Sequence, residues 1–526
     1  MTGTWALVRF ALRRERVGLP IWVVVAAAFV AIQSVQSQDF YGDPGQLAAL
    51  RATAEGNAAL LAMAGPVRLL ETVAGEVVFE IFSYVATVVA LMSMFLVVRH
   101  TRADEETGRA ELVRSARVGR RAPLAAALVV VTLANAAAGA LTALAAVATG
   151  LPAGGSVLLG AALAGVGSAF AGLTAAAVQV FDHGRSVYGV VVAALGASWA
   201  LRGAGDVGDG AWAWLSPIGW GQRTYPYVDD RWWPLLLPLG LGAAATAVAV
   251  ALLDRRDLGA GLVASRPGRA RASWALSTPL GLAWRLQRGS LAGWAAGLFL
   301  LGLAYGSFGR SIEQFVADNP QIADFLPGGA QDVVDSFFAV TIAVGAVLAT
   351  AYATAAVLRA RGEETSGRIE AVPATPTGRW ALLGSHLAVA LAGSVVVMAL
   401  NGLGQGLAHA VAVADPDQVP RLVGLSLAYL PAIAVVAGVA ALAVGLAPRA
   451  APAVAWAVVA YVGVVTFFGD SFELPEWARA LSPADHVPRV PLDEVSVAPL
   501  AALTAVAVAA TAAGLAAYRR RDLELS

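Results

Sequence analysis

Apolar and polar positions in this chain are sorted into long blocks. Apolar runs of roughly twenty residues, the length that spans a bilayer as a helix, fall at 19–37, 77–98, 123–149, 155–180, 187–202 and 234–253. A second set falls at 291–308, 336–358, 380–411, 422–447, 452–468 and 496–518. A backbone inside lipid must satisfy its own hydrogen bonds, and the alternating pattern of a membrane barrel is missing. The pattern therefore predicts an all-α integral membrane protein with twelve transmembrane helices, six in each half.

The most charged stretch of the chain lies between the second and third runs and returns in the second half. It reads Glu105-Glu106-Thr107-Gly108-Arg109-Ala110-Glu111, continuing to Gly119-Arg120, then Glu363-Glu364-Thr365-Ser366-Gly367-Arg368-Ile369-Glu370, continuing to Gly378-Arg379. Aligned with one inserted residue, Glu105 matches Glu363, Arg109 matches Arg368, Glu111 matches Glu370 and Arg120 matches Arg379. Glu105–Arg109 and Glu364–Arg368 are i,i+4 pairs, favourable on a helix by a few tenths of a kcal/mol. One such segment is readily a solvated loop. Two at equivalent points of a repeat predict a docking helix for an aqueous partner.

Other repeats agree. Arg13, Arg16 and Trp22 correspond to Arg285, Arg288 and Trp294 at one offset. Leu215-Ser216-Pro217 after the fifth run matches Leu481-Ser482-Pro483 after the eleventh, and Arg255-Arg256-Asp257-Leu258 matches Arg520-Arg521-Asp522-Leu523. With six spans per half, both halves share one orientation, as parallel repeats. The predicted organisation is a first six-helix domain at 1–258, a linker at 259–275 and a second six-helix domain at 276–526. Residues 1–18, with Arg9, Arg13, Arg14 and Arg16 beside Trp5, Val8 and Leu12, read as an amphipathic helix at the membrane surface. A signal peptide is disfavoured because the pattern recurs at Arg285 and Arg288.

Charge then sets orientation. With the N-terminus inside, 27 of the 36 basic residues fall in inside segments and 13 of the 36 acids do. The positive-inside rule thus places both termini and both Glu-Glu-Thr segments in the cytoplasm, in a cell membrane. The loops at 38–76 and 309–335 are outside and acidic. Those at 203–233 and 469–495 are rich in Trp and Pro, as expected of short helices at the outer interface.

Composition narrows the chemistry. The chain is 58% hydrophobic and 14% charged, with mean hydropathy +0.68. All its basic residues are Arg, and Cys is absent. Without Lys there is no P-loop, so any ATPase driving it is another polypeptide. Five His without Cys form no convincing metal site, and no nucleophile motif occurs. The Arg clusters sit where topology wants them, so nucleic acid is not indicated. Polar residues inside the runs are few: Glu80, Asn135, Gln179, Asn401, Gln405 and His409. The amides read as interhelical hydrogen-bond partners, and the small-residue spacings at Gly302–Gly306 and Gly402–Gly406 as close helix packing.

The run E-E-T-G-R-x-E-L followed by V-G-R, the basic N-terminal helix and the L-S-P after the fifth run resemble ABC-2 type transporter permeases. The fused form is similar to actinobacterial polyketide-antibiotic or tetronasin-type exporter permeases. That resemblance implies an exporter with no catalytic residue or cofactor of its own. Two copies of a separate ATPase, carrying ATP and Mg, would dock through Glu105, Glu106, Arg109, Glu111, Glu363, Glu364, Arg368 and Glu370. The helices around Arg9, Arg13, Arg16, Arg285 and Arg288 would seat it at the lipid surface. A hydrophobic or amphiphilic small molecule would pass Phe79, Phe82, Phe337 and Phe338. The competing readings are an ion-gradient-driven secondary transporter of twelve helices, which needs a titratable residue at mid-membrane, and a membrane scaffold.

Overall fold

The computed structural model describes residues 2–257, 259–263, 271, 273–318, 330–367, 378–469, 474–491 and 496–522. The chain forms two compact units, residues 1–267 and 268–526. In the first, the helices are α1 (Thr4–Arg14), α2 (Gly18–Tyr41), α3 (Pro44–Gly56), α4 (Ala58–Met63), α5 (Val73–Arg99), α6 (Arg102–Glu106), α7 (Arg109–Arg114), α8 (Ala122–Ala148), α9 (Ala153–Val180), α10 (Gly184–Val207), α11 (Pro217–Gln222) and α12 (Leu236–Leu253). In the second they are α13 (Pro279–Asp318), α14 (Ala330–Thr365), α15 (Arg379–Val413), α16 (Gln418–Leu427), α17 (Leu430–Leu446), α18 (Ala451–Phe468), α19 (Glu476–Ala480) and α20 (Val497–Arg520).

Each apolar run is helical, and the run at 422–447 is divided between α16 and α17. Among the described residues, eleven helices are long and apolar enough to cross a membrane, and the run at 452–468 forms a shorter apolar helix. This is a multi-pass membrane protein. The described residues contain one isolated β-bridge, Phe181 with Val263, and no strand.

Small residues let the helices approach closely. In the second unit α13 lies along α15, where a methyl group added at Gly302 or Gly306 would run into the carbonyl of Asn401 or Gln405. The polar residues of α15 tie neighbours together as expected. Asn401 Nδ2 donates to the Leu298 carbonyl of α13 at 3.1 Å, and Gln405 Oε1 accepts from Thr341 of α14 at 3.0 Å. In the first unit Asn135 of α8 accepts from Ser93 of α5 at 2.9 Å.

The two basic entry helices differ for a local reason. Pro20 has no N–H for the Arg16 carbonyl, so the chain breaks between α1 and α2. The matching position, Ala292, imposes no break, and α13 continues for 40 residues. On α1, Val8 and Ala11 pack against Ala126 and Val130 of α8. Trp5, Phe10 and Leu12 stay exposed alongside Arg9 and Arg13. The expected stripe of Trp5, Val8 and Leu12 is therefore split, because the helix has protein on one side.

The Trp- and Pro-rich loop of the first unit contains a 3-10 turn at Trp212–Leu215 and then α11, whose start is capped by Ser216 accepting from Gly219 N at 3.0 Å. Trp212, Trp232 and Trp233 are exposed.

Candidate functional site

The repeated charged segments sit at the Arg-rich ends of the long helices. In the first unit Thr101 leaves helical geometry, α6 forms one short turn, and Gly108 takes a left-handed conformation (φ 72°) before α7 begins. This is two short helices and a turn rather than one docking helix. The expected Glu105–Arg109 pair does not form, because the i,i+4 relation is lost across that turn. Arg109 lies 3.8 Å from Asp104 instead.

Glu105 is turned inward. Its carboxylate takes a two-pronged pair from Arg256, with Nη2 to Oε1 at 2.6 Å and Nη1 to Oε2 at 2.9 Å. Arg102, completely buried, adds a third contact at 2.7 Å. Arg256 follows the end of α12. Its Nε donates to Gln179 Oε1 near the end of α9 at 2.6 Å, and Nη1 donates to the Ala260 carbonyl at 2.9 Å. Arg102 also donates to the Val178 carbonyl. Arg120, at the approach to α8, donates to the Arg256 carbonyl at 2.6 Å and the Leu253 carbonyl at 3.0 Å. These last contacts satisfy acceptors that a helix C-terminus leaves open.

The second unit builds the same latch. Arg521, next after α20, pairs with Glu364 through Nη1 to Oε1 at 2.8 Å and Nη2 to Oε2 at 2.6 Å. Arg361 lies 3.4 Å from Glu364 and donates to the Pro448 carbonyl at 3.1 Å. Arg379 donates to the Arg521 carbonyl at 2.7 Å. These partners overturn the alignment with an inserted residue. Arg102, Glu105, Gly108 and Arg120 correspond to Arg361, Glu364, Gly367 and Arg379 without interruption, and Gly367 has the same left-handed backbone (φ 69°). Glu105 thus matches Glu364, whereas Glu363 matches Asp104 and pairs with Arg359 at 2.9 Å. Arg368 and Glu370 lie outside the described residues.

What faces outward in the first unit is narrower than the motif. Arg109, Glu111 and Leu112 are exposed. Glu106 is also on the surface, where Oε1 accepts from Gly184 N at the start of α10 at 2.6 Å, a favourable place for a carboxylate. Asp104 is held by Arg14 of α1 at 2.9 Å. A cavity beside the latch is walled by Leu7 and Phe10 of α1, Ala110 and Val113 of α7, and Glu105 and Arg256. Arg16, Arg285 and Arg288 are exposed, like Arg9 and Arg13.

At the opposite end of α5, Glu76 is fully buried, with Ser37 of α2 and Glu80 beside its carboxylate. One turn on, Glu80 accepts from Gln33 of α2 at 2.7 Å. Sequence reading reached Glu80 but placed Glu76 before its apolar run. Phe79, Phe82 and Phe338 are buried in the cores of their units, and Phe337, packed against Tyr305 and Phe308, is partly exposed.

Comparison with known proteins identifies the relatives of this chain. It is 40% identical over 528 residues to the multidrug efflux system permease protein Rv1217c of Mycobacterium tuberculosis (strain ATCC 25618 / H37Rv), covering 99% of this chain and 95% of that protein. The chain belongs to the Rv1217c family of multidrug efflux permeases. Residues 276–519 also match the model of the Rv1217c C-terminal domain. That domain carries Glu364 with Arg361 and Arg379, so one of the two latches of this family member lies largely inside the matched region, with Arg521 just beyond it.

Proposed function

We propose that this chain is the membrane-spanning permease subunit of an ATP-driven ABC exporter, of the ABC-2 type, that moves hydrophobic or amphiphilic small molecules out of the cytoplasm or inner leaflet. It is a transport subunit rather than an enzyme. The energy comes from two copies of a separate ATPase, which bind ATP and Mg. The observation that carries this reading is full-length similarity to a multidrug efflux permease in a chain whose charged segment is built twice, at the same point of each unit. The absence of Lys, and hence of a P-loop, supports a separate ATPase. The distribution of Arg supports twelve spans as two parallel repeats, with both termini and both charged segments cytoplasmic. Apolar helices with few charged residues suit an apolar cargo. Phe337, the most open of the four candidate aromatics, is the best placed to meet it.

The inward turn of Glu105 and Glu364 moves the docking surface to Arg109, Glu111 and Leu112 with Glu106 at its edge. The test is purification from native membranes in mild detergent, followed by mass spectrometry of bound proteins. A Walker-motif ATPase should accompany the wild type and be lost from an R109E/L112D variant that remains folded. If no ATPase accompanies the wild type, even after crosslinking, the ATP-driven reading fails. The ion-gradient alternative then gains from one specific observation, the buried Glu76, which no Arg neutralises among the described residues.

A further inference from the structure

We propose that Arg256 and Arg521 are positioning residues for transport, which carry movement of the charged segments into the last helix of each unit. The inference rests on the ATP-driven reading above and names the parts through which coupling runs.

The geometry supplies the argument. Each Arg stands just beyond the last long helix of its unit, α12 or α20, and grips a carboxylate at the Arg-rich end of the second long helix: Glu105 on α6, which follows α5, or Glu364 in the last turn of α14. A two-pronged guanidinium–carboxylate pair fixes orientation as well as distance, which a lysine or an apolar contact does not. It therefore transmits a tilt and not only a pull. Both units extend the grip to a third place. Arg102 reaches the Val178 carbonyl and Arg256 reaches Gln179, both near the end of α9, while Arg361 reaches the Pro448 carbonyl just past α17. Arg120 and Arg379 pin the backbone of the gripping Arg from the start of the next helix. A segment held this way cannot shift while the ends of those helices stay put.

Stability alone accounts poorly for the arrangement. Replacing a buried ion pair by well-packed apolar residues is often neutral or stabilising, so such pairs are weak evidence of a purely structural role. Here the same four-residue device occurs twice in a chain with 14% charged residues. The latch also differs from the exposed partner-facing residues, so binding of the ATPase and its coupling to transport are separable.

The experiment compares wild type, R256Q and R521Q, each purified with its ATPase and reconstituted in liposomes. ATP turnover and accumulation of a fluorescent lipophilic dye are measured together. The single variants should keep the bound ATPase and its basal turnover, while dye moved per ATP falls by about tenfold. If R256Q and R521Q move dye per ATP as the wild type does, the inference is overturned. Should either variant fail to fold, the Lys substitution at that position, which retains the charge but not the two-pronged grip, replaces it, and a wild-type ratio again overturns the inference. Loss of the ATPase from the single variants would assign these residues to docking and also overturn it. A wild type that carries no ATPase instead overturns the underlying reading and the inference with it.

Discussion

Following the second long helix of each unit from end to end separates what the repeat has kept from what it has let go. At the Arg-rich end the two units agree atom for atom in kind: Glu105 and Glu364 each take two nitrogens from an Arg beyond the last helix, and each is approached by an Arg three residues earlier. At the far end they part. The position of Glu76 in the first unit is Asp335 in the second. Asp335 pairs with Arg421 of α16 at 2.9 Å, whereas among the described residues no Arg pairs with Glu76 or Glu80. The kept end is a two-pronged ion pair that joins the second and the last long helix regions of each unit. The divergent end has one unit with its carboxylate neutralised and one with two carboxylates on α5 and no cation beside them. If the two halves do equal work at the joint, they are not equal at the mouth.

The largest effect belongs to the joint. Removing one partner of a buried pair leaves the other charge uncompensated, which costs about 3–5 kcal/mol. Glu105→Gln strands Arg256 and Arg102, and Glu364→Gln strands Arg521 and Arg361. The two variants should lose thermal stability by similar amounts, read as the temperature at which monodisperse protein disappears in detergent. A large loss in one unit and none in the other would break the equivalence of the joints.

Next comes the entry helix. Ala292→Pro places in α13 the residue that separates α1 from α2, and a proline inside a helix costs about 3 kcal/mol. Because the first unit already tolerates that break, the variant should fold with a shortened span and a detached basic helix. Spin labels placed on both sides of residue 292 should show a broader distance distribution than in the wild type. An unchanged distribution would mean that helix packing, and not Pro20, separates α1 from α2.

The far ends predict opposite signs. Asp335→Asn removes the charge that pairs with the half-exposed Arg421, which keeps Gln418, and should destabilise by up to about 1 kcal/mol. Glu76→Gln removes a buried carboxylate that no cation neutralises and that lies beside Glu80, so it should be neutral or stabilising. Parallel heating curves of the two variants test this, and destabilisation of both to the same extent would erase the asymmetry.

How much of this was legible beforehand follows the physics of each feature. The helices were legible because a twenty-residue apolar run has few other uses. The charged segment was legible as a site because it repeats. Its register was not, since Glu-Glu in one copy and Asp-Glu-Glu in the other slide past each other without penalty in sequence; only the buried partners decide that Glu105 is Glu364. Arg256 and Arg521 were visible as a repeated Arg-Arg-Asp-Leu, but nothing in a linear pattern joins residue 256 to residue 105. Glu76 escaped because it stands at the very start of its helix, where a charged residue looks like an end signal.

The smallest effect belongs to the turn that follows the carboxylate. Gly108 and Gly367 share the left-handed backbone, and a Cβ added at Gly108 would meet nothing within 4 Å. The cost of Gly108→Ala is therefore backbone strain alone, about 1 kcal/mol. If the two turns are equivalent, Gly367→Ala should cost the same. Heating curves for the two variants compare them, and a penalty at one glycine without a matching one at the other would break the equivalence of the turns.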